Sequence, residues 1–92
     1  MAVTVLIPTP LQNLTNGQAA VQAEGSTVSE VMNSLEAQFP GVRGRLYDDN
    51  NRLRRFVNVY VNSEDIRFQD NEQTAVKDGD ELSIIPAIAG GC

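Results

Sequence analysis

The sequence contains no histidine and one cysteine, Cys92, at its last position. A single cysteine cannot form an internal disulfide. Without histidine there is no Cys–His pair for nucleophilic catalysis, and the ligands for a zinc site are lacking. We therefore expect no catalytic residue and no bound metal within the chain.

Basic residues are also scarce, since seven Lys and Arg face twelve Asp and Glu, which gives a net charge of -5. Binding to a phosphate backbone requires a basic surface, so we expect no nucleic-acid partner. Long apolar runs are absent as well. The N-terminal run 2–7 has no basic segment before it and stops at Pro8. We expect neither a signal peptide nor a membrane anchor, and we expect a cytoplasmic protein.

The length of 92 residues corresponds to one domain with one hydrophobic core. A chain of this size can cover a sheet with one helix, but it has too little material to enclose a deep catalytic cavity. These bounds favour a binding or carrier protein without a bound cofactor over an enzyme.

Two strands are predicted in the N-terminal part of the chain. Apolar residues alternate with others from 2 to 7, the period-two pattern of a strand with one buried face. Pro8 ends this strand, and Asn16-Gly17 forms a turn that tolerates positive φ. Residues 19–23 alternate again. The two strands are expected to form an antiparallel hairpin.

The next segment predicts a helix of about 12 residues. Thr27 and Glu30 fit a capping box, in which each side chain accepts a hydrogen bond from the other residue's backbone N–H. Pro40-Gly41 ends the helix. The apolar residues fall at helical spacing on one stripe, which we expect to pack on the hairpin: Val28, Val31, Met32, Leu35 and Phe39.

The second half of the chain predicts a turn-rich connection over 41–53 and then further strands. Residues 54–61 alternate as a central strand, with Val57, Val59 and Val61 toward the core. A short strand is expected at 66–68 and one helical turn at 74–76. A tight turn at 78–80 leads into the last strand, Glu81 to Pro86.

This order of elements predicts an α+β fold of the β-grasp, ubiquitin-like type. A right-handed crossover carries the helix over one face of a mixed sheet of four to five strands, so the last strand can return beside the first. Residues 1–86 would form the domain. Residues 87–92 have no charge except the terminal carboxylate and no apparent anchor, so we expect a flexible C-terminal tail.

The C-terminal region resembles the ThiS/MoaD family of sulfur carriers. The segment 77–86, KDGDELSIIP, followed by Ala-Ile-Ala-Gly-Gly at 87–91, is similar to the ending of these proteins. Within the family, RFVNVYVN at 55–62 and EDIRF at 64–68 are more similar to the carriers of cysteine biosynthesis than to the shorter thiazole or molybdopterin carriers. The resemblance covers the whole chain.

This resemblance implies a function for Gly90 and Gly91. In the family, an E1-like adenylating and sulfurating enzyme uses ATP to adenylate the terminal glycine carboxylate, and a sulfur nucleophile converts it to a thiocarboxylate. Glycine lacks a Cβ atom, so a diglycine tail can thread a narrow channel. The carrier would supply an acyl group, and a cysteine synthase-like enzyme would use the sulfur.

Cys92 departs from the family pattern because it ties the Gly91 carbonyl into an amide. Three interpretations remain open. In the first, a metallopeptidase cuts the Gly91–Cys92 bond and exposes the carboxylate that is activated. In the second, Cys92 is the bound product of the pathway, whose adduct is carrier-Gly-Cys. In the third, Cys92 is a spare thiol.

Three apolar residues are expected on the outward face of the sheet, where polar groups are usual: Phe56, Tyr60 and Ile85. They predict a docking patch for the activating enzyme or the peptidase, or else a face covered by the 41–53 connection. Five of the seven basic residues lie close together and are interpreted as a solvated loop: Arg43, Arg45, Arg52, Arg54 and Arg55.

Two other functions are compatible with such a chain. A ubiquitin-like modifier would join Gly91 to lysines of target proteins, although Lys77 is the only lysine available for self-chains. A small subunit of molybdopterin synthase would hold its tail in a larger partner.

Overall fold

The computed structural model describes residues 2–50, 52–54 and 57–86. Within these ranges the strands are β1 Ala2–Leu6, β2 Ala20–Glu24, β3 Val57–Val61, β4 Glu64–Asp65 and β5 Glu81–Pro86. The α-helices are α1 Val28–Gln38 and α2 Val42–Leu46, and 3-10 turns cover Thr9–Leu14, Ile66–Phe68 and Asn71–Gln73. None of these helices is long and apolar enough to cross a bilayer.

The strands form one mixed sheet in the order β2-β1-β5-β3-β4. β1 and β5 pair in parallel at its centre, with Val5 opposite Leu82, and the other neighbours are antiparallel. The N-terminal hairpin turn has positive φ at Asn16 and Gly17, as predicted. The last strand lies beside the first, and β5 has the predicted bounds. The predicted β-grasp arrangement is confirmed.

Helix α1 begins at the predicted cap. Thr27 Oγ1 accepts a hydrogen bond from the Glu30 backbone N–H at 3.2 Å. The return bond differs from the prediction, because Glu30 Oε1 accepts from the N–H of Ser26 at 2.9 Å rather than from that of Thr27. Phe39 is only partly buried and follows the last helical residue. The rest of the predicted stripe lies in the core: Val28, Val31, Met32 and Leu35.

The 41–53 connection contains a helix that the turn-rich sequence did not predict. Gly41 adopts φ +106, a left-handed conformation that redirects the chain after Pro40. The carboxylate of Glu36 then accepts hydrogen bonds from the N–H groups of Gly41 and Arg43, which satisfies free donors at the start of α2. Three residues of this connection are buried in the core: Val42, Leu46 and Tyr47.

The predicted strand at 66–68 is wrong, because these residues form a 3-10 turn and the strand lies at Glu64–Asp65. The cause is the preceding turn. Asn62 and Ser63 have φ of 50° and 75°. Positive φ at both central residues closes a two-residue hairpin, so pairing with β3 resumes at once.

The predicted helical turn at 74–76 is also wrong, since the 3-10 turn lies at Asn71–Gln73. Residues 74–76 are extended and bind the start of α1. The Thr74 carbonyl accepts from the Val28 N–H at 3.1 Å, and the Val76 N–H donates to the Ser26 carbonyl at 3.0 Å. A tertiary contact therefore determines this conformation.

Leu35 is fully buried on α1, so Leu35→Ala removes packed methyl groups and leaves a cavity. We expect the free energy of unfolding to fall by about 2 to 5 kcal/mol. Urea denaturation measures this change. Ala37→Gln, on the exposed face of the same helix, should change the free energy by less than about 0.5 kcal/mol. An unchanged midpoint for Leu35→Ala would contradict the position of α1 in the core.

Gly25 lies where β2 leads into α1, and a Cβ atom there would meet Glu30 Cβ and the Val31 nitrogen, each at 2.8 Å. The Val31 nitrogen is backbone and cannot rotate away. Gly25→Ala should therefore destabilise the fold by about 1 to 3 kcal/mol in thermal or urea unfolding.

Gly44 in α2 is the matched control, because a Cβ atom there would have nothing within 4 Å. Gly44→Ala should leave stability unchanged or raise it by about 0.5 to 1 kcal/mol, because alanine favours the helix. Equal effects of the two substitutions would contradict the steric explanation.

Candidate functional site

The last strand determines where the C-terminal segment begins. β5 pairs with β1 on one side and β3 on the other. It ends at Pro86, whose Cα partner is Val57 at the start of β3. Gly90, Gly91 and Cys92, for which the sequence predicts the sulfur-carrying end and the processed residue, lie outside the described residues. So does the predicted tail as a whole, and these assignments stay predictions.

The other end of β5 is anchored by a hydrogen-bonded turn. Gly79 has φ +88, and Asp78 Oδ1 accepts from the Ala2 N–H at 2.9 Å. Asp80 accepts from Asn62 Nδ2 at 3.0 Å and from the Lys77 N–H at 2.8 Å. Donation from the Asn62 side chain, and then from Lys77, lowers the pKa of Asp80. The two aspartates thus fix the turn between β1 and β3, as turn chemistry predicts, and do not form a carboxylate pair for catalysis.

The outward face of the sheet carries two of the three predicted docking residues. Tyr60 is half-buried, and Ile85 is 49% exposed. Tyr60 is opposite Ser83 and Ile85 is opposite Asn58, so the two apolar side chains are diagonal neighbours, about 7 to 8 Å apart between Cα atoms. Phe56 lies outside the described residues.

Two further apolar side chains extend this face. Phe68 is 88% exposed and lines a depression of about 360 Å³ together with Tyr60. Leu6 is half-buried and is the Cα partner of Ser83, which is also the partner of Tyr60. Leu6 and Tyr60 therefore lie on the same face of the sheet, on either side of Ser83. We call Leu6, Tyr60, Phe68 and Ile85 the outward patch. The alternation along β1 could have identified Leu6, whereas the strand predicted at 66–68 concealed the exposure of Phe68.

The turn that carries Phe68 is held by an ion pair. Arg67 Nη2 lies 2.7 Å from Asp65 Oδ2, and Arg67 Nε donates to both carboxylate oxygens at 3.2 Å. The Arg67 backbone N–H also donates to Asp65 Oδ1 at 2.8 Å. Hydrogen bonds from the Arg67 side chain, and then from its backbone, lower the pKa of Asp65 below its ordinary value.

The predicted arginine cluster separates into residues with different surroundings. The guanidinium of Arg43 lies 4.0 Å from the ring centroid of the buried Tyr47 and donates to Asn33. Arg54 donates to the Gly44 carbonyl at 3.1 Å. Arg45 and Arg52 are exposed, and Arg55 lies outside the described residues.

The fold and the surface together define a ubiquitin-like β-grasp protein. Its strand β5 lies at the centre of the sheet and leads into the C-terminal segment. No group of three or more potential metal-ligating side chains occurs in the described part of the chain. The sequence model of the ThiS family matches residues 5–91. The chain belongs to this family.

The most informative relatives are sulfur carriers. The chain is 50% identical to the sulfur carrier protein CysO of Mycobacterium tuberculosis over 93 residues, which covers 99% of this chain and all of that protein. The structure of the BexX/CysO complex of Amycolatopsis orientalis contains a chain with TM-score 0.91 and 48% identity, covering 97% and 99% of the two chains. The similarity to the cysteine-type carriers inferred from 55–68 is confirmed.

A third relative is the small archaeal modifier protein 3 of Haloferax volcanii, which is 40% identical over 68 residues, covering 74% of this chain and 73% of that protein. Carriers and modifiers therefore both occur among the relatives of this chain.

The lowered pKa of Asp65 predicts a pH dependence of stability. A carboxylate with a lowered folded-state pKa stabilises the fold above its unfolded-state value, about 3.9, and this contribution is lost as pH falls through the folded-state pKa. Urea midpoints measured between about pH 5 and pH 2 should decline less steeply for Asp65→Asn than for the wild type. Arg67→Gln should reduce the slope in the same direction but by less, because it removes the side-chain hydrogen bonds to Asp65 and keeps the backbone one. An unchanged slope in both variants would contradict this assignment.

Proposed function

We propose that this chain is a sulfur carrier whose Gly91 carboxylate is converted to a thiocarboxylate that delivers sulfur, in cysteine biosynthesis. The observation that carries the proposal is that the described part of the chain ends with β5, at Pro86, and that the sequence carries Gly90-Gly91 four residues later. Membership of the ThiS family and 50% identity to CysO over the whole chain support it.

The chemistry requires a free carboxylate and an activating partner. A Gly91 carboxylate oxygen attacks the α-phosphorus of ATP, and pyrophosphate leaves. Sulfide then attacks the acyl carbon of the adenylate, AMP departs, and a thiocarboxylate remains. The partner, an E1-like enzyme, binds ATP and supplies the catalytic groups. The described part of the carrier contributes the fold that presents the acyl group.

Cys92 determines when this reaction can occur, because the amide between Gly91 and Cys92 leaves no carboxylate on Gly91. We assign its removal to a metallopeptidase. On a cysteine synthase-like enzyme, the thiocarboxylate sulfur attacks Cβ of an activated serine and its leaving group departs, which gives a thioester to the new cysteine sulfur. The cysteine amine then attacks the thioester carbonyl, and this S-to-N acyl shift frees the thiol and gives the same Gly–Cys amide. The same peptidase can therefore release cysteine after each cycle.

The outward patch is the proposed docking surface for these partners. Ile85 and Phe68 are exposed apolar side chains, and Tyr60 lies between β5 and the Phe68 turn. Apolar side chains on a solvated sheet face mark interaction sites more often than isolated surface residues do. Because Ile85 immediately precedes Pro86, at which the described chain ends, a partner on this patch would also contact the start of the C-terminal segment.

Trimming tests the mechanism directly. Chain 1–91, given activating enzyme, ATP and sulfide, should gain the mass of one sulfur in place of one oxygen, as read by intact-mass spectrometry. The full chain without peptidase should not. Gly91→Ala in chain 1–91 should lose activation at an unchanged unfolding midpoint, because the added methyl group blocks a narrow channel without altering the domain. Equal thiocarboxylation of the full chain at Cys92 would overturn the requirement for processing.

Protein modification is the second candidate, favoured by the similarity to the small archaeal modifier protein 3. A modifier would form an isopeptide bond between Gly91 and a target lysine. Lys77, the only lysine of the chain, is exposed. Mass spectrometry of cellular proteins separates the two functions, since a modifier leaves a carrier-derived adduct on target lysines and a sulfur carrier does not.

A further inference from the structure

A groove of about 330 Å³ lies at the end of the sheet where β5 finishes. Its floor is apolar and includes Leu11, Leu46 and Val57. Val57 is the Cα partner of Pro86, and neighbouring strands lie about 5 Å apart. The groove is therefore adjacent to the point from which the C-terminal segment departs.

The charged lining of this groove consists of Arg45 and Arg54, with no carboxylate among the described residues that line it. Arg54 donates to the Gly44 carbonyl, and Arg45 is exposed in the last turn of α2. Neither guanidinium has a salt bridge to a carboxylate of the described chain. These two positive groups are thus available at the surface of a protein whose net charge is -5.

Three acidic side chains, Glu36, Asp48 and Asp49, line a separate depression, which Arg54 shares. Glu36 there accepts from the backbone N–H groups of Gly41 and Arg43, and Asp48 accepts from those of Asn50 and Arg52. Their carboxylates thus hold the chain around α2. Arg45 does not line that depression.

We propose that this groove receives an acidic segment of the activating enzyme, with carboxylates on Arg45 and Arg54 and an apolar side chain on the floor. This inference rests on the proposed function. A guanidinium binds a carboxylate in a fixed, two-pronged geometry, so a contact here orients the carrier as well as attracting it. The contact lies beside the end of β5 and directs the C-terminal segment toward the nucleotide site.

Charge complementarity favours a protein partner over nucleic acid. Two guanidiniums on a chain of net charge -5 are too few to follow a phosphate backbone, which requires an extended basic surface. An acidic enzyme surface would repel most of this carrier. A local positive groove therefore selects the one orientation in which the two proteins can approach.

The experiment compares Arg45→Glu with Lys77→Glu, which changes the net charge equally. Lys77 is exposed before β5, and β5 spans six residues, so the two ends of the strand lie about 17 Å apart. The full chain is treated with the peptidase. The kcat/KM for carrier-dependent ATP–pyrophosphate exchange by the activating enzyme is then measured at about 20 mM and about 200 mM salt.

We expect Arg45→Glu to lower kcat/KM about 10-fold or more at low salt, with the difference shrinking at high salt and kcat retained. Lys77→Glu should lower kcat/KM less than Arg45→Glu at low salt. At about 200 mM salt it should stay within about 2-fold of the wild type, because the screening length is then below about 10 Å and Lys77 lies at the other end of β5. Thermal unfolding confirms that both variants fold, and Arg45→Gln gives a smaller loss in the same direction if Arg45→Glu is destabilised.

Equal losses in the two variants would overturn the proposal, since they would reflect net charge alone. A rise in kcat/KM for Arg45→Glu would overturn it in favour of the chain's own C-terminal carboxylate as occupant. Binding of the wild-type chain to a homopolymeric RNA is measured as well. If Arg45→Glu abolishes that binding and leaves the exchange rate unchanged, the proposal is overturned in favour of nucleic acid. If the wild type itself supports no exchange, the proposed function fails, and the role of the groove fails with it.

Discussion

The parallel pairing of β1 with β5 is the constraint on which the rest of the molecule depends. Parallel neighbours cannot be joined by a tight turn, so the chain between them must cross over the sheet. Here that connection contains β2, both α-helices, β3 and β4 before β5 returns. Val5 and Leu82, which face each other in this pairing, are fully buried. The last strand is consequently fixed on both sides, and its end is presented at the margin of the sheet.

Elements with strong local signals could be predicted from sequence. Alternation located β1, β2 and β3, and the Thr27 cap and Pro40-Gly41 bounded α1 closely. The Asp78–Asp80 turn gave the start of β5. In each of these cases local preference and tertiary packing favour the same conformation, so a single sequence suffices.

The errors fall where a distant contact decides the local structure. Helix α2 depends on Glu36, five and seven residues before the N–H groups that its carboxylate binds, and a turn-rich composition gives no sign of that interaction. Residues 74–76 are extended because they bind the start of α1. The early start of β4 follows from positive φ at Asn62 and Ser63, and serine seldom signals such a turn.

The same distinction applies to the candidate site. Period-two alternation was enough to assign Tyr60 and Ile85 to the outward face, because register alone determines the face of a strand residue. Arg45 and Arg54 could only be interpreted as loop charges from the sequence. The two residues are nine positions apart in the chain, and they line one groove because the chain between them folds through α2.

The surface chemistry also suits the exchange of partners that a sulfur carrier requires. In the proposed mechanism the carrier would have to leave its activating enzyme before the next enzyme could use the acyl group, so its docking surfaces would need to be specific without being extensive. The outward patch is small, because Asn58 and Ser83 interrupt its apolar side chains. Transient interfaces bury less area than obligate ones. Under the proposed function, a short apolar patch combined with a charged groove would supply orientation and fast encounter while leaving the complex easy to dissociate.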